Sequence, residues 1–424
     1  MEVTLNGYYT LILATLVLLM GRFLVKKIKF LEDFNIPEPV AGGLVAAIIV
    51  YALNLIWGYS FNFHQDLQTA CMLMFFASIG LSADFGRLKA GGTPLLVFTV
   101  VVSSFIIVQD IAGVALASAL GLDPLLGLVT GSIALTGGHG TAGAWGITLE
   151  EQYGVVGATT LGIAVATYGL VAGGVIGGPV ARRLIQNLGV KPSPVDPNPS
   201  DVEKLAGKQS LYSTKHKEEE AFGNKEIFEK PDNIRLITAS SAIESFALFA
   251  AALAFADFMT LVGKDTWFEL PTFVWALAGG VIIRNVLTMV FDFDMFDRAI
   301  DVIGNASLSL FLAMALLSLK LWQLTDLAGP VLIILLVQTL LMIGFAYFIT
   351  FKIMGKDYDA SVLAAGHCGF GMGATPTAIA NMQAVTDRYQ PSPKAFLIVP
   401  MVGAFFVDIV NATVLQIFTK LPFM

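Results

Sequence analysis

Two short stretches of this chain set hydroxyl side chains on glycine-rich backbone inside apolar sequence. The first is Thr136-Gly137-Gly138-His139-Gly140-Thr141 and the second is Gly371-Met372-Gly373-Ala374-Thr375-Pro376-Thr377. Glycine lets a ligand approach the main chain, hydroxyls and freed carbonyls suit Na+, and a helix N-terminus favours an anion. Pro376 fits the first turn of a helix, where its missing N–H costs nothing. A helix starting there aims its N-terminus at the second stretch. Neither stretch carries Lys or Arg, so an anionic solute must be held by helix ends, hydroxyls and a co-bound cation. Candidate solute contacts are Thr136, Gly137, Gly138, His139, Gly140, Thr141, Gly373, Thr375, Pro376, Thr377 and Asp408, and candidate Na+ ligands are Ser132, Thr136, Thr375, Asn381, Asp408 and Asn411. For a single such motif, close helix packing by small residues is an equal alternative; two at equivalent positions favour a binding site. His139 either donates to a carboxylate or braces a backbone carbonyl, and His367 reads as a packing residue.

Ionisable residues within apolar spans are functional candidates by default. Asp408 lies deep in the last apolar run with Asn411 one turn later on the same face, and it is the first choice for a cation or a substrate ammonium group. Gln109 and Asp110 lie in mid-span, as does Glu244; a site role and an interhelical role are equal readings for both carboxylates. Asp84, Glu150, Asp123 and Asp359 fall near span ends, where they are solvated or cap helices. Cys71 and Cys368 read as small packing residues, and the four histidines lack metal-ligand spacing. No nucleophile–base pair stands out, so neither an enzyme nor a resident cofactor is expected, and no basic stripe points to nucleic acid.

The elements that position these residues follow from composition. The chain has 424 residues, is 56% hydrophobic and 13% charged, and has a mean hydropathy of +0.75. That is an all-α polytopic membrane protein. Ten spans are expected at about 8–25, 37–57, 68–84, 94–119, 155–180, 233–261, 270–290, 302–320, 328–351 and 395–419. Between the fourth and fifth of each set, 125–148 and 360–384 are apolar but rich in Gly and Thr. They read as re-entrant helical hairpins, each entering and leaving on one side. A self-match at an offset of 236 joins the halves: Phe75 meets Phe311, Pro94 meets Pro330, Asp123 meets Asp359, Thr141 meets Thr377 and Tyr153 meets Tyr389. Leu88 meets Leu324 in the same register. The acidic start and the basic Arg22, Lys26, Lys27 and Lys29 after the first run predict a retained span with its N-terminus outside. All Lys and Arg but Lys264, Lys320 and Lys420 then fall inside, among them Arg87, Lys89 and Arg235. Five crossings per set make the two repeats inverted, with hairpins opening to opposite sides. The organisation expected is an N-terminal repeat at 1–184, a flexible cytoplasmic linker at 185–232 and a C-terminal inverted repeat at 233–424.

Five stretches carry a resemblance: ALTGGHGTAGAW, AAGHCGFGMGATPTAIANMQA, IPEPVAGGL (Ile36 to Leu44), GNASLSLFLAMAL (Gly304 to Leu316) and VPMVGAFFVDIVNA (Val399 to Ala412). Together they resemble the bacterial sodium/glutamate symporters over nearly the whole chain, the linker excepted. The resemblance implies Na+-driven uptake of L-glutamate, a homodimer in the lipid of the bacterial inner membrane, and an elevator-type movement of the hairpin-bearing unit. From the sequence, the hairpins with spans five and ten would move, and the other spans would form the dimer scaffold. The alternatives are a Na+- or H+-coupled di- or tricarboxylate carrier, which would favour a basic residue near the tips, and a cation/proton antiporter titrating at Asp408 or Asp110.

Overall fold

The computed structural model describes residues 2–34, 36–86, 92–189, 237–264, 266, 269–319 and 327–422. The linker beyond residue 189, Arg87, Lys89, Arg235, Lys320 and the Leu88–Leu324 match lie outside the described residues. The first half builds α1 (Gly7–Lys27), α2 (Glu38–Trp57), α3 (Gln65–Ser82) and α4 (Gly92–Ala119). Next come α5 (Pro124–Leu128), α6 (Gly138–Tyr153) and α7 (Ala158–Asn187). The second half builds α8 (Ala239–Gly263), α9 (Thr272–Val290), α10 (Asp297–Leu317) and α11 (Ala328–Phe345). It closes with α12 (Tyr358–Met372), α13 (Thr375–Thr386), α14 (Pro393–Met401) and α15 (Val407–Thr419).

Eight of the described helices are long and apolar enough to cross a bilayer, so the chain is a multi-pass α-helical membrane protein. Two expected spans differ from that pattern. Helix α3 is 18 residues long and starts with Gln65, Asp66 and Gln68, which dilute its hydropathy. The last span is interrupted: Pro400 lies inside α14, and a wide π-turn over Val402–Phe406 separates α14 from α15. Proline removes one N–H from the ladder and crowds the preceding turn, and the wider turn relieves this. Among the described residues the only strands are β1 (Glu2–Thr4) and β2 (Ser60–Asn62), paired in parallel. They bring the segment before α1 beside the α2–α3 connection, as two successive crossings require.

Helices α1, α2, α3, α8, α9 and α10 pack on one another. Their seams are tied at one end by buried Arg284, whose guanidinium donates to Asp84 at 3.2 Å and also to Asp297. The second cluster gathers α12, α13, α14 and α15 with residues of α4 and α7. Sequence reasoning assigned only spans five and ten to the hairpins. Here Gln109 of α4 donates to Gly371 O at the end of α12, and Gln338 of α11 donates to Gln109 O, so α11 is tied to α4.

Helix α7 runs through the middle of this second cluster, against α6, α12 and α13. Its Gly169 faces the carbonyl of Met372 so closely that a Cβ there would lie 2.0 Å from that oxygen. Gly169→Ala is therefore expected to force α7 away from α12 and lower the thermal midpoint of the purified protein, at a cost of about 1–3 kcal/mol. Gly344→Ala, with nothing within 4 Å of its Cβ, should melt at or slightly above the parent temperature. Equal melting of the two variants in detergent would contradict the close seam.

Candidate functional site

Both candidate stretches are breaks between helices. In the first, Asp123 caps α5 by accepting from Leu125 N at 2.9 Å. The helix widens over Val129–Ile133 and leaves helical geometry at Gly131 (φ −100°, ψ −131°). Helix α6 then starts at Gly138, whose φ of +66° is left-handed and suits glycine. In the second, α12 begins at a cap on Asp357, which accepts from Ala360 N at 2.7 Å, and ends at Met372. Gly373 and Ala374 carry the chain across, and α13 begins with Thr375 and Pro376 in its first turn. That placement of Pro376 agrees with the sequence reading. The ends of the second unit are joined: Tyr358 Oη donates to Gln390 O at 2.5 Å and Ser392 Oγ donates to Asp359 at 2.6 Å. The two tips meet, since a Cβ at Gly138 would lie 3.4 Å from Gly373 O.

A buried polar network lies behind the tips. Gln109 Nε2 donates to Gly371 O at 3.1 Å, and Thr136 Oγ1 lies 2.7 Å from Gln109 Oε1 and 3.2 Å from Gly371 O. Gln338 Nε2 of α11 donates to the carbonyl of Gln109 at 2.8 Å. One residue along α4, Asp110 Oδ1 accepts from Ser132 N at 2.8 Å. Ser132 Oγ lies 2.9 Å from Asp110 Oδ2 and 2.6 Å from Asn411 Oδ1, and Asn411 Nδ2 donates to Ser132 O at 3.2 Å. Gly131 makes this possible, because a Cβ there would lie 2.8 Å from Asp110 Oδ1. Thus two sets of hydrogen bonds meet on α4: one joins it to α11, Thr136 and Gly371 O, the other to Ser132 and α15.

The other candidates spread around it. His139 Nε2 lies 3.0 Å from Thr167 Oγ1 on α7. Thr167 spends its own proton on Ile163 O at 2.9 Å, so His139 is the donor and braces α6 against α7. Thr141 is buried against Gly137, and Gly140 faces Phe75. Thr375 faces Gly403, between α14 and α15, while Thr377 Oγ1 is buried with no hydrogen-bond partner among the described residues. Asn381 donates to Gly173 O at 2.9 Å and to Ala365 O at 3.4 Å, so it pins α13 to α7 and α12 and does not reach the Asp110 cluster. Asp408 stands one turn before Asn411, partly exposed, with no hydrogen bond or ion pair among the described residues. Glu244 lies on an exposed face of α8. His367 bonds Thr350 at 2.9 Å and is ringed by Phe98, Phe105, Phe345 and Phe370 at 5.2–5.9 Å between ring centroids, as a packing residue would be.

Sequence reasoning left Gln109 and Asp110 unassigned and passed over Gln338. The signal for Gln338 was present: it is a lone amide in the most apolar helix, where mean hydropathy reaches 2.5. Such a group must find a partner in the protein.

Broken helices converging on a buried polar network, inside a bundle of membrane-length helices, are the architecture of a solute carrier's core. The chain matches the sodium/glutamate symporter family over residues 3–391. It is 51% identical to the sodium/glutamate symporter of Haemophilus influenzae over 417 residues, 98% of each chain. It is 50% identical to that of Escherichia coli K12 over 418 residues, 99% of this chain and 98% of the relative. The chain belongs to the sodium/glutamate symporter family.

Thr136→Val keeps the shape of the side chain and removes the hydroxyl that bridges Gln109 to Gly371 O. It leaves a buried amide oxygen without its donor, which costs about 1–3 kcal/mol. The expected result is a lower thermal midpoint in detergent that Thr136→Ser restores.

Proposed function

We propose that this chain is a Na+-coupled secondary transporter that carries L-glutamate into the cell. One observation carries the reading: the two hairpin tips meet and are tied together by Thr136, Gln109 and Gly371 O in a chain of this family. The family's members are transporters, so bond-making chemistry plays no part. With no Lys or Arg in either hairpin, glutamate's carboxylates are held by hydroxyls and by the N-termini of α6 and α13, around Gly137–Thr141 and Gly373–Thr377. Asp408, which has no internal partner among the described residues, takes the substrate ammonium group. Oxygen donors for Na+ come from Ser132, Thr136, Thr375, Asn381 and Asn411.

The two halves are inverted repeats, and their hairpins re-enter the membrane from opposite sides. Both termini are outside and the linker is cytoplasmic, in the inner membrane of a bacterium. Transport is an elevator movement. Helices α4 to α7 and α11 to α15 travel as one body against a scaffold of α1 to α3 and α8 to α10, which forms the homodimer. The bond of Gln109 to Gly371 O, and that of Gln338 to Gln109 O, support including α4 and α11 in the moving body.

In proteoliposomes, labelled glutamate should accumulate under an inward Na+ gradient and not under a proton gradient without Na+. Equal uptake in the second case would overturn symport. Asp408→Asn should cut uptake by roughly tenfold or more through a raised KM for glutamate. Asp123→Asn, at a helix cap, should act mainly on folded yield. Unchanged uptake in well-folded Asp408→Asn would remove it from the site.

A further inference from the structure

The contact of Asp110, Ser132 and Asn411 is short of one hydrogen. Ser132 Oγ lies 2.9 Å from Asp110 Oδ2 and 2.6 Å from Asn411 Oδ1. A hydroxyl has one proton and can serve one of these oxygens. Turning the Asn411 amide would give Ser132 Oγ a hydrogen but set the amide oxygen 3.2 Å from Ser132 O, which already accepts from Gly137 N at 2.8 Å, so the shortage would move to that contact and not disappear. The second proton that reaches Asp110, from Ser132 N, is spent on Oδ1 at 2.8 Å. With Asp110 ionised, one close oxygen–oxygen contact therefore has nothing between its partners. Asp110, Ser132 and Asn411 are all 0% exposed, and no basic side chain pairs with Asp110 among the described residues. Oxygen in excess, one negative charge, full enclosure and no protein cation together define a place for a small hard cation.

We propose that Asp110, Ser132 and Asn411 form one site for transported Na+, separate from Thr375 and Asn381, with the Asp110 carboxylate supplying the neutralising charge. The assignment rests on the symport reading above and adds to it the carboxylate that the ion needs. It also explains how the ion acts on the solute site. The three ligating residues come from α4, the first hairpin and α15, so occupancy draws those elements together. Ser132 is four residues before Thr136, which touches Gly371 O of the opposite tip. An ion that fixes Ser132 therefore fixes the meeting of the tips where glutamate is held.

The test exploits the hydrogen count. In Asp110→Asn, the amide oxygen still accepts from Ser132 N, and the amide nitrogen donates to Ser132 Oγ, which donates to Asn411. Every contact then has a hydrogen without any cation. The variant should fold, melt in choline chloride at or above the parent temperature, and lose the rise in thermal midpoint that NaCl at equal ionic strength gives the parent without glutamate. In proteoliposomes its half-saturating Na+ concentration should rise about tenfold or more. Ser132→Ala, which removes one ligand and leaves the carboxylate, should show a reduced Na+ shift, and it decides the matter if Asp110→Asn does not fold. A full Na+ shift in both variants, with the parent showing Na+-driven uptake, would overturn the site and place the missing proton on Asp110. A parent with neither a Na+ shift nor Na+-driven uptake would overturn the symport reading and the site with it.

Discussion

A carboxylate without exposed surface, in the middle of a 28-residue apolar helix, is the constraint that the hairpin half of this structure obeys. Leaving such a group unsatisfied in a low-dielectric interior costs several kcal/mol. The chain answers by bringing a broken helix to it. Gly131 departs from helical geometry, and with no side chain to interpose it lets Ser132 donate its N–H to Asp110 and set its hydroxyl beside the second carboxylate oxygen. Asn411 closes the far side. The break in the first hairpin and the seating of α15 are thus two parts of one solvation problem.

Positions matched by the sequence offset carry different chemistry in the two halves of the chain. At the offset of 236, Gln109-Asp110 becomes Phe345-Ala346 and Gly131-Ser132 becomes His367-Cys368. In the first half this crossing is a carboxylate on a main-chain amide. In the second, the His367 ring sits 5.9 Å from Phe345, with Phe98, Phe105 and Phe370 around it. One crossing is specified by a carboxylate and its hydrogen bonds, the other by ring packing around a histidine bonded to Thr350.

Much of the fold was legible in the sequence because its signals are local. Apolar length marks the spans, Pro376 marks the start of α13, and Gly/Thr richness marks both breaks. What was not legible depends on how helices are rotated about their axes. Asp408 and Asp110 look alike as mid-span carboxylates. Only the tertiary seating of α4 and α15 encloses Asp110 and leaves Asp408 partly exposed with Asn411 turned inward. The attachment of α4 and α11 to the hairpins was hidden for the same reason. It hangs on Gln109 and Gln338, whose amide nitrogens donate to backbone carbonyls that carry no side-chain signature.

The close seam between α7 and the second hairpin has a mechanical consequence. Gly169, Gly173 and Gly177 recur every four residues on α7 and face Met372 O, the carbonyls of Cys368 and Gly369, and Ala365 O with Asn381. Helices usually keep their axial position because side-chain ridges sit in grooves. A stripe without side chains has no teeth, so packing alone fixes how near the two surfaces lie and resists sliding weakly. Along this seam, axial position is set by the Asn381 amide bonded to Gly173 O and Ala365 O: a latch on a smooth rail.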